Sequence, residues 1–170
     1  HLGAGFPTSQ EALNAWDNWV SAMAKRYKGR VKIWEIWNEP DGPKGNSAEM
    51  YTNLYIRTAE TIRSIDPTAT LYALSIANVA AKGQKYTETF FKGLKKKGKL
   101  HLVDEVTLHG YTYNPSDVYH NYEKMIQVIS KYAKHVKLRL GELGCPSENK
   151  SVYALRNYEW TELSQSKWML

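Results

Sequence analysis

Hydrophobic residues along the chain alternate between stripes with helical spacing and short continuous runs. Thr8 and Glu11 have the spacing of a capping box at the start of the first stripe, and Gly29 is placed to end it. Later stripes predict three more helices, and residues 153–170 are predicted to form a last one. The stripes are Leu13, Trp16, Val20, Met23 and Tyr27; Tyr51, Leu54, Tyr55, Thr58, Ile62 and Ile65; Tyr86, Phe90, Phe91 and Leu94; and Val118, Tyr122, Met125, Ile126, Ile129 and Tyr132.

Four short apolar runs lie between these helices, at residues 31–37, 70–75, 103–108 and 136–140. Each has the length and composition of a β-strand, although Asp104 and Glu105 make the third more polar than the others. Strands that alternate with helices in this way are typical of parallel β-α-β units. The sequence therefore predicts one α/β domain over residues 1–170, built as either a barrel or a doubly wound sheet.

The number of predicted strands bears on the choice between these two folds. A complete (β/α)₈ barrel has eight strands and typically about 250 residues, whereas this chain has four predicted strands in 170 residues. The chain also opens in a loop at His1 and stops inside a predicted helix at Leu170. We therefore expect both ends to be truncations of a longer domain.

Composition and charge narrow the range of partners. The net charge is +6, but the densest group of lysines, within residues 92–99, follows apolar helix positions and is typical of a solvated helix end. No apolar run approaches the length of a membrane span. We therefore expect neither a nucleic-acid nor a membrane partner. The single cysteine, Cys145, excludes an intrachain disulfide and does not indicate a compartment.

Polar residues with catalytic potential follow three of the four predicted strands. Asn38 and Glu39 follow the first, His109 and Tyr111 the third, and Glu142 the fourth. In parallel α/β folds, the carboxyl ends of the strands form the active-site rim. Two facing carboxylates are what glycoside hydrolysis requires, with a separation of roughly 5–5.5 Å for retention and roughly 6.5–9.5 Å for inversion. Taken singly, each residue also fits an ordinary turn or core position, so the prediction depends on their convergence.

Strand alternation predicts which other side chains share the inner face. Counting back in twos from the rim gives Trp37, Glu35 and Ile33 on the first strand, and Leu140 and Leu138 on the fourth. On the third strand, counting back from Tyr111 gives His109, Thr107 and Glu105. Glu35 and Glu105 lie below the rim, so we expect them to be structural residues that need polar partners inside.

Other kinds of chemistry find little support in the sequence. None of the five histidines lies in a His-x-His or His-Glu-x-x-His arrangement, and no pair of cysteines exists. The chain also lacks a glycine-rich phosphate-binding motif. We expect no metal and no cofactor. The remaining alternative to an enzyme is a non-catalytic barrel fragment that folds or binds sugar only on assembly with other chains.

Residues 34–41 read Trp-Glu-Ile-Trp-Asn-Glu-Pro-Asp, a string that resembles the acid/base strand of the retaining glycoside hydrolases of clan A, the four-over-seven superfamily. His109-x-Tyr111 and Glu142-Leu143-Gly144 are similar to the ends of strands six and seven of that superfamily. In appearance the longer string is closest to family 39. The resemblance covers nearly the whole chain.

The resemblance implies a partial (β/α)₈ TIM barrel, strands four to seven with their helices. It implies a carbohydrate substrate, with Glu39 as acid/base and Glu142 as nucleophile. It further implies that Asn38 binds the sugar 2-hydroxyl, and that His109 and Tyr111 support the site. Strands one to three and strand eight are absent, which predicts self-association through open sheet edges and makes activity of the isolated chain doubtful.

Overall fold

The structure, a computed structural model, describes residues 5–42, 46–150 and 155–170. Five α-helices and four strands alternate along these residues, and two short 3₁₀ helices precede β3 and α4. The order is α1 (Gln10–Tyr27), β1 (Ile33–Glu35), α2 (Ala48–Ile65), β2 (Thr70–Ile76), α3 (Ala81–Lys96), β3 (Glu105–His109), α4 (Tyr119–Ser130), β4 (Lys137–Glu142) and α5 (Glu162–Met169).

The four strands form one parallel sheet in the order β1-β2-β3-β4. This confirms the predicted α/β class. Sequential parallel order places all four carboxyl ends along the same edge of the sheet, so the loops that follow the strands are neighbours. In the described part of the chain, β1 and β4 each pair with one other strand. None of the described helices is long and apolar enough to cross a membrane.

The main core lies between the sheet and the helices α1 to α4. Two fully buried tyrosines of α2 tie this layer to the strands. The hydroxyl of Tyr51 donates to the carbonyl of Ile36 (2.8 Å) and accepts from the amide of Leu74 (2.7 Å). The hydroxyl of Tyr55 donates to the carbonyl of Leu102 (3.0 Å). The two bonds of Tyr51 fix the end of β1 and β2 relative to α2 and so hold the loops that carry the site, whereas the bond of Tyr55 joins α2 to the 3₁₀ helix before β3.

Two details at the ends of the chain differ from the prediction. Ser9, rather than Thr8, caps α1, because its hydroxyl accepts from the amide of Ala12 (3.1 Å). The last helix begins at Glu162 instead of near residue 153, since Thr161 forms a capping box with Ser164 that starts the helix there. Residues 153 and 154 lie outside the described part of the chain.

The predicted inner face is wrong at the end of β1. Alternation placed Trp37 inward, but β1 ends at Glu35 and Trp37 has a left-handed backbone with φ of 72°. Its ring packs against Phe6 (4.9 Å between centroids) and Trp16 of α1 (5.6 Å). A residue outside the pleat no longer follows the period of two, so Trp37 belongs to the helix side.

The inner face of β4 also differs from the prediction. The register pairs Leu140 with the buried Leu108, and Leu138 packs against the main core. A bulge then pairs His109 with Glu142, so Gly141 has no partner in the register with β3. An extra residue shifts the alternation by one. Leu138 and Leu140 therefore lie on the outer face of the sheet, where Leu138 packs against the core and Leu140 is 44% exposed, and Arg139 takes the predicted inward place.

Candidate active site

Glu39 is held at the rim by an unusual loop after β1. Its backbone has φ of 47°, in the left-handed region that residues other than glycine rarely occupy. The Glu39 amide donates to the carbonyl of Ser75 at the end of β2 (3.0 Å). Such strain persists only where surrounding contacts fix it, and it concentrates at functional sites.

Glu142 is the last residue of β4, next to the bulge. Its carbonyl accepts from the amide of Gly110 (2.8 Å), which ties the end of β4 to the loop after β3. A side chain at Gly141 would lie close to Thr107, with a Cβ–Cβ distance of 3.2 Å. A glycine at this position therefore lets β4 approach β3 and turn Glu142 towards the rim.

The carboxylates of Glu39 and Glu142 converge on the ring of His109. Nδ1 of His109 lies 2.8 Å from Oε1 of Glu39 and 3.5 Å from Oε2 of Glu142. One oxygen of each carboxylate lies within 4.8 Å of the other. The two carboxylates are partly exposed, whereas the histidine is almost fully buried. The arrangement is two accessible acid groups bridged from beneath by one imidazole.

Tyr111 approaches Glu142 from the loop after β3. Its hydroxyl donates to Oε2 of Glu142 (3.3 Å). Desolvation raises the pKa of Tyr111, and the negative charge of Glu142 raises it further. The phenol is therefore kept in its protonated, hydrogen-donating form beside the carboxylate.

Asn38 reaches the same cluster through Ser75, the last residue of the second predicted strand (70–75). The hydroxyl of Ser75 lies 3.3 Å from Oδ1 of Asn38 and 2.9 Å from Nε2 of His109. All five predicted site residues thus lie in one connected group. Serine at a strand end has no distinctive sequence signal, so spacing could not single it out.

Asp41 is a second residue whose role could not be recognised from the spacing of residues in the sequence. Its buried carboxylate accepts from the amides of Ala77 (2.9 Å) and Asn78 (3.0 Å), which joins the loop after β1 to the loop after β2. Gly83 packs directly against the loop after β2, since a Cβ at this position would fall 1.5 Å from the carbonyl oxygen of Asn78. The sequence could not indicate this role, because the partners of Asp41 are backbone amides 36 and 37 residues away.

The two inner glutamates below the rim have polar partners. Glu35 accepts a short hydrogen bond from the hydroxyl of Thr107. Glu105 accepts from Arg139 at 2.6 and 3.1 Å, and this hydrogen-bonded pair lowers the pKa of Glu105. The guanidinium also lies over the ring of Tyr72, 5.6 Å from its centroid. The face below the carboxylates is therefore a hydrogen-bonded polar layer.

Glu39, His109 and Glu142 are also of the types that bind metal ions. The 2.8 Å between Nδ1 and Oε1 is the spacing of a hydrogen bond. A tetrahedral zinc ion with bonds of about 2.1 Å would hold its ligands about 3.4 Å apart. Sequence spacing could not reveal this group, because each member follows a different strand. The expectation of no metal remains a prediction that a zinc titration can test.

The solved structures similar to this chain include three glycoside hydrolases. One is a GH39 β-xylosidase from Caulobacter crescentus, with a TM-score of 0.69 and 23% identity over 88% of this chain and 33% of that chain. Another is a family 39 glycoside hydrolase from the gut symbiont Bacteroides cellulosilyticus WH2, with a TM-score of 0.67 and 18% identity over 96% and 34%. A third is a GH10 endoxylanase from a sugarcane soil metagenome, with a TM-score of 0.64 and 20% identity over 87% and 44%.

These similarities show the fold: the four strands and their helices are part of a TIM barrel, as predicted. The chain spans a third to less than half of the length of these structures. No curated protein matches the sequence.

A family model described as glycosyl hydrolase family 10 matches residues 4–166. The sequence motif looked closest to family 39, and structures of both families are similar to this chain, so the prediction of clan A is confirmed. Since the match covers nearly the whole length, the chain belongs to glycosyl hydrolase family 10.

Proposed function

We propose that this chain carries the catalytic carboxylates of a retaining glycoside hydrolase, with Glu39 as acid/base and Glu142 as nucleophile. The observation that carries the proposal is the position of the two carboxylates, on one rim with oxygens within 4.8 Å of each other. This spacing supports a double displacement, because inversion needs roughly 6.5–9.5 Å between the carboxyl groups to admit a water molecule.

In the first step, an oxygen of Glu142 attacks the anomeric carbon while the glycosidic bond breaks. The proton of Glu39 passes to the departing oxygen, so an alcohol leaves and a glycosyl ester forms on Glu142. Tyr111 donates to Oε2 of Glu142 (3.3 Å), which orients the carboxylate for attack.

In the second step, Glu39, now ionised, takes a proton from water, and the water oxygen attacks the anomeric carbon. The ester bond to Glu142 breaks, and both carboxyl groups return to their starting states. Asn38 adjoins Glu39 at the rim, where its amide can bind the sugar 2-hydroxyl. Two inversions at one carbon give net retention.

The first substrates to test are β-xylosides. Two similar structures are described as β-xylosidases, and one as an endoxylanase. The sequence is also rich in aromatic residues, with 6 Trp and 12 Tyr, whose flat rings suit the apolar faces of sugars.

The test is hydrolysis of aryl β-xylosides and other aryl β-glycosides, with the anomer of the first-formed sugar determined by ¹H NMR. We expect the β-anomer to appear first. Glu142→Gln should lower kcat by about 10³-fold or more, and Glu39→Ala by about 10²–10⁴-fold. Azide should restore turnover of an activated aryl glycoside by Glu39→Ala. Glu123→Gln, an exposed position on α4, is the matched control and should be unchanged. An α-anomer as first product would contradict retention.

A second candidate is a non-catalytic barrel fragment that folds or binds sugar only on assembly. The observation in its favour is Ile33, which lies on the open inner face and is 50% exposed. This candidate would be favoured if the wild-type monomer shows no turnover and the protein becomes active, or binds sugar, only in a larger complex.

A further inference from the structure

Ser75 lies beneath the catalytic cluster and is fully buried. The sheet register shifts between Ala73 and Ile76, and Ser75 itself has φ of 47°. The bulge places its hydroxyl in the group below the rim, 2.9 Å from Nε2 of His109 and 3.3 Å from Oδ1 of Asn38. Ser75 therefore connects the residue next to the acid/base with the imidazole that bridges both carboxylates.

The hydrogen bonds that join Asn38, Ser75 and His109 are limited by the number of protons available to them. A serine hydroxyl has one proton, and an amide oxygen such as Oδ1 of Asn38 can only accept. The contact of Ser75 with Oδ1 of Asn38 is therefore a hydrogen bond only when the serine proton lies on that side. The oxygen of Ser75 then accepts, so the hydrogen bond to His109 requires a proton on Nε2. We propose that Ser75 is a positioning residue that holds a proton of His109 on Nε2.

A proton on Nε2 of His109 determines what Nδ1, on the opposite side of the imidazole ring, presents to Glu39. With its proton on Nε2, a neutral imidazole presents a lone pair from Nδ1 towards Oε1 of Glu39, 2.8 Å away. Two lone pairs at that distance repel each other, so a proton is held between these two atoms. It is shared by Glu39, as the carboxylic acid, and His109, as the imidazolium.

This inference rests on the proposed function, because the shared proton is the one that Glu39 would donate to the leaving group. The other carboxylate, Glu142, lies farther from Nδ1 (3.5 Å) and accepts from Tyr111. The geometry therefore directs the stored proton to Glu39 and leaves Glu142 ionised for attack. Ser75 touches neither carboxylate and acts through His109.

The test is the protonation of His109, read from ¹⁵N NMR of the full chain labelled in its histidines, at neutral pH and without substrate. In the wild type we expect Nε2 of His109 to carry a proton. In Ser75→Ala the Nε2–H loses its acceptor in a buried place, so we expect a shift to the form with Nδ1–H facing Glu39 and Nε2 bare. A wild-type spectrum with Nε2 bare would overturn the proposal and would mean that Ser75 donates to His109. An unchanged Nε2–H in Ser75→Ala would overturn it as well.

The matched control is Thr87→Val, which removes another fully buried hydroxyl, on α3. It should leave the His109 spectrum as in the wild type, and an equal change in both variants would show a general effect of core substitution and contradict the proposal. Because the wild-type measurement needs neither substrate nor a variant, its result separates the two ideas. Protonated Nε2 without turnover would support the positioning role while the proposed function fails.

Discussion

The hydroxyl of Tyr111 lies 3.3 Å from Oε2 of Glu142 and is its hydrogen-bond donor from the loop after β3. Because burial and the charge of Glu142 raise the pKa of Tyr111, this donor persists to higher pH than an ordinary phenol would. The bond also fixes the carboxylate that we propose as nucleophile.

Tyr111→Phe should therefore lower kcat by about 10-fold or more, with a smaller change in KM, since the bond orients a reacting group. Kinetics with an aryl glycoside measure both. Tyr119→Phe, which removes an exposed hydroxyl on α4, is the control. A loss that appeared only in KM would mean that Tyr111 binds sugar without acting on Glu142.

The pKa of Tyr111 gives a second measurement that needs no turnover. In Glu142→Gln the neighbouring negative charge is removed, so the pKa of Tyr111 should fall back towards its ordinary value of about 10. NMR of ¹³Cζ-labelled tyrosine follows this change through titration. A pKa of Tyr111 that does not move would show that the charge of Glu142 does not contribute to it.

Acid stability should depend on Asp66, which closes the C-terminal end of α2. Its carboxylate accepts from the hydroxyl of Thr68 (2.6 Å) and the amide of Gly29 (3.0 Å), and these bonds lower its pKa to about 2. A lowered pKa in the folded state gives stability that is present above the unfolded value of about 3.9 and is lost as the pH falls towards about 2.

Asp66→Asn should therefore lower Tm by several degrees at pH 7, and the difference from the wild type should shrink as the pH approaches 2. Thermal unfolding followed by circular dichroism over this range measures it. Asp117→Asn, at an exposed position, should show no comparable pH dependence. A gap that stayed constant with pH would mean that Asp66 acts through packing instead of charge.

The sequence predicted most of what depends on local pattern. The four strands, the helices between them and the convergence of Glu39 and Glu142 on one rim all follow from periodicity and strand-end position. The errors lie where the backbone leaves the regular pleat. The bulge near Gly141 reverses the predicted faces of Leu138 and Leu140, and left-handed Trp37 turns away from the inner face. A two-residue period cannot foresee a bulge, because the extra residue is specified by contacts with neighbouring strands.

The residues that support the site could not be recognised from the sequence, for a related reason. Ser75 and Asp41 bind partners that are more than 30 residues away, and each uses a common residue type without a motif. The two carboxylates that we propose as catalytic could be found from their strand-end positions and their motif. Their hydrogen-bonded environment required the structure.

Gly83 offers a test of how tightly the loop after β2 is held. In Gly83→Ala the new Cβ would overlap the carbonyl oxygen of Asn78, and backbone atoms there have little freedom to move because Asp41 binds the same loop. We expect the free energy of unfolding to fall by about 1–3 kcal/mol, together with a loss of kcat. Chemical denaturation and kinetics measure the two effects. The exposed neighbour Lys82→Ala should change stability by less than about 0.5 kcal/mol. Wild-type stability in Gly83→Ala would mean that this loop adjusts freely.

The inner face of the sheet leads to the last prediction, self-association of the chain. Within the described residues, β1 and β4 are edge strands, and edge strands pair readily with other chains. Ile33 is 50% exposed on the same open face, where a complete barrel would bury it against other strands. We therefore expect the molar mass in solution, measured by light scattering after size exclusion, to rise with protein concentration. Ile33→Lys should reduce this rise, because a charged side chain opposes burial of the face, whereas Lys32→Ala, at the exposed neighbouring position, should leave it unchanged. Assaying aryl glycosides on the same fractions connects mass to activity. A protein that stays monomeric at all concentrations and still hydrolyses substrate, with turnover abolished in Glu142→Gln, would show that the four-stranded sheet needs no partner and that the proposed carboxylates are nonetheless correct.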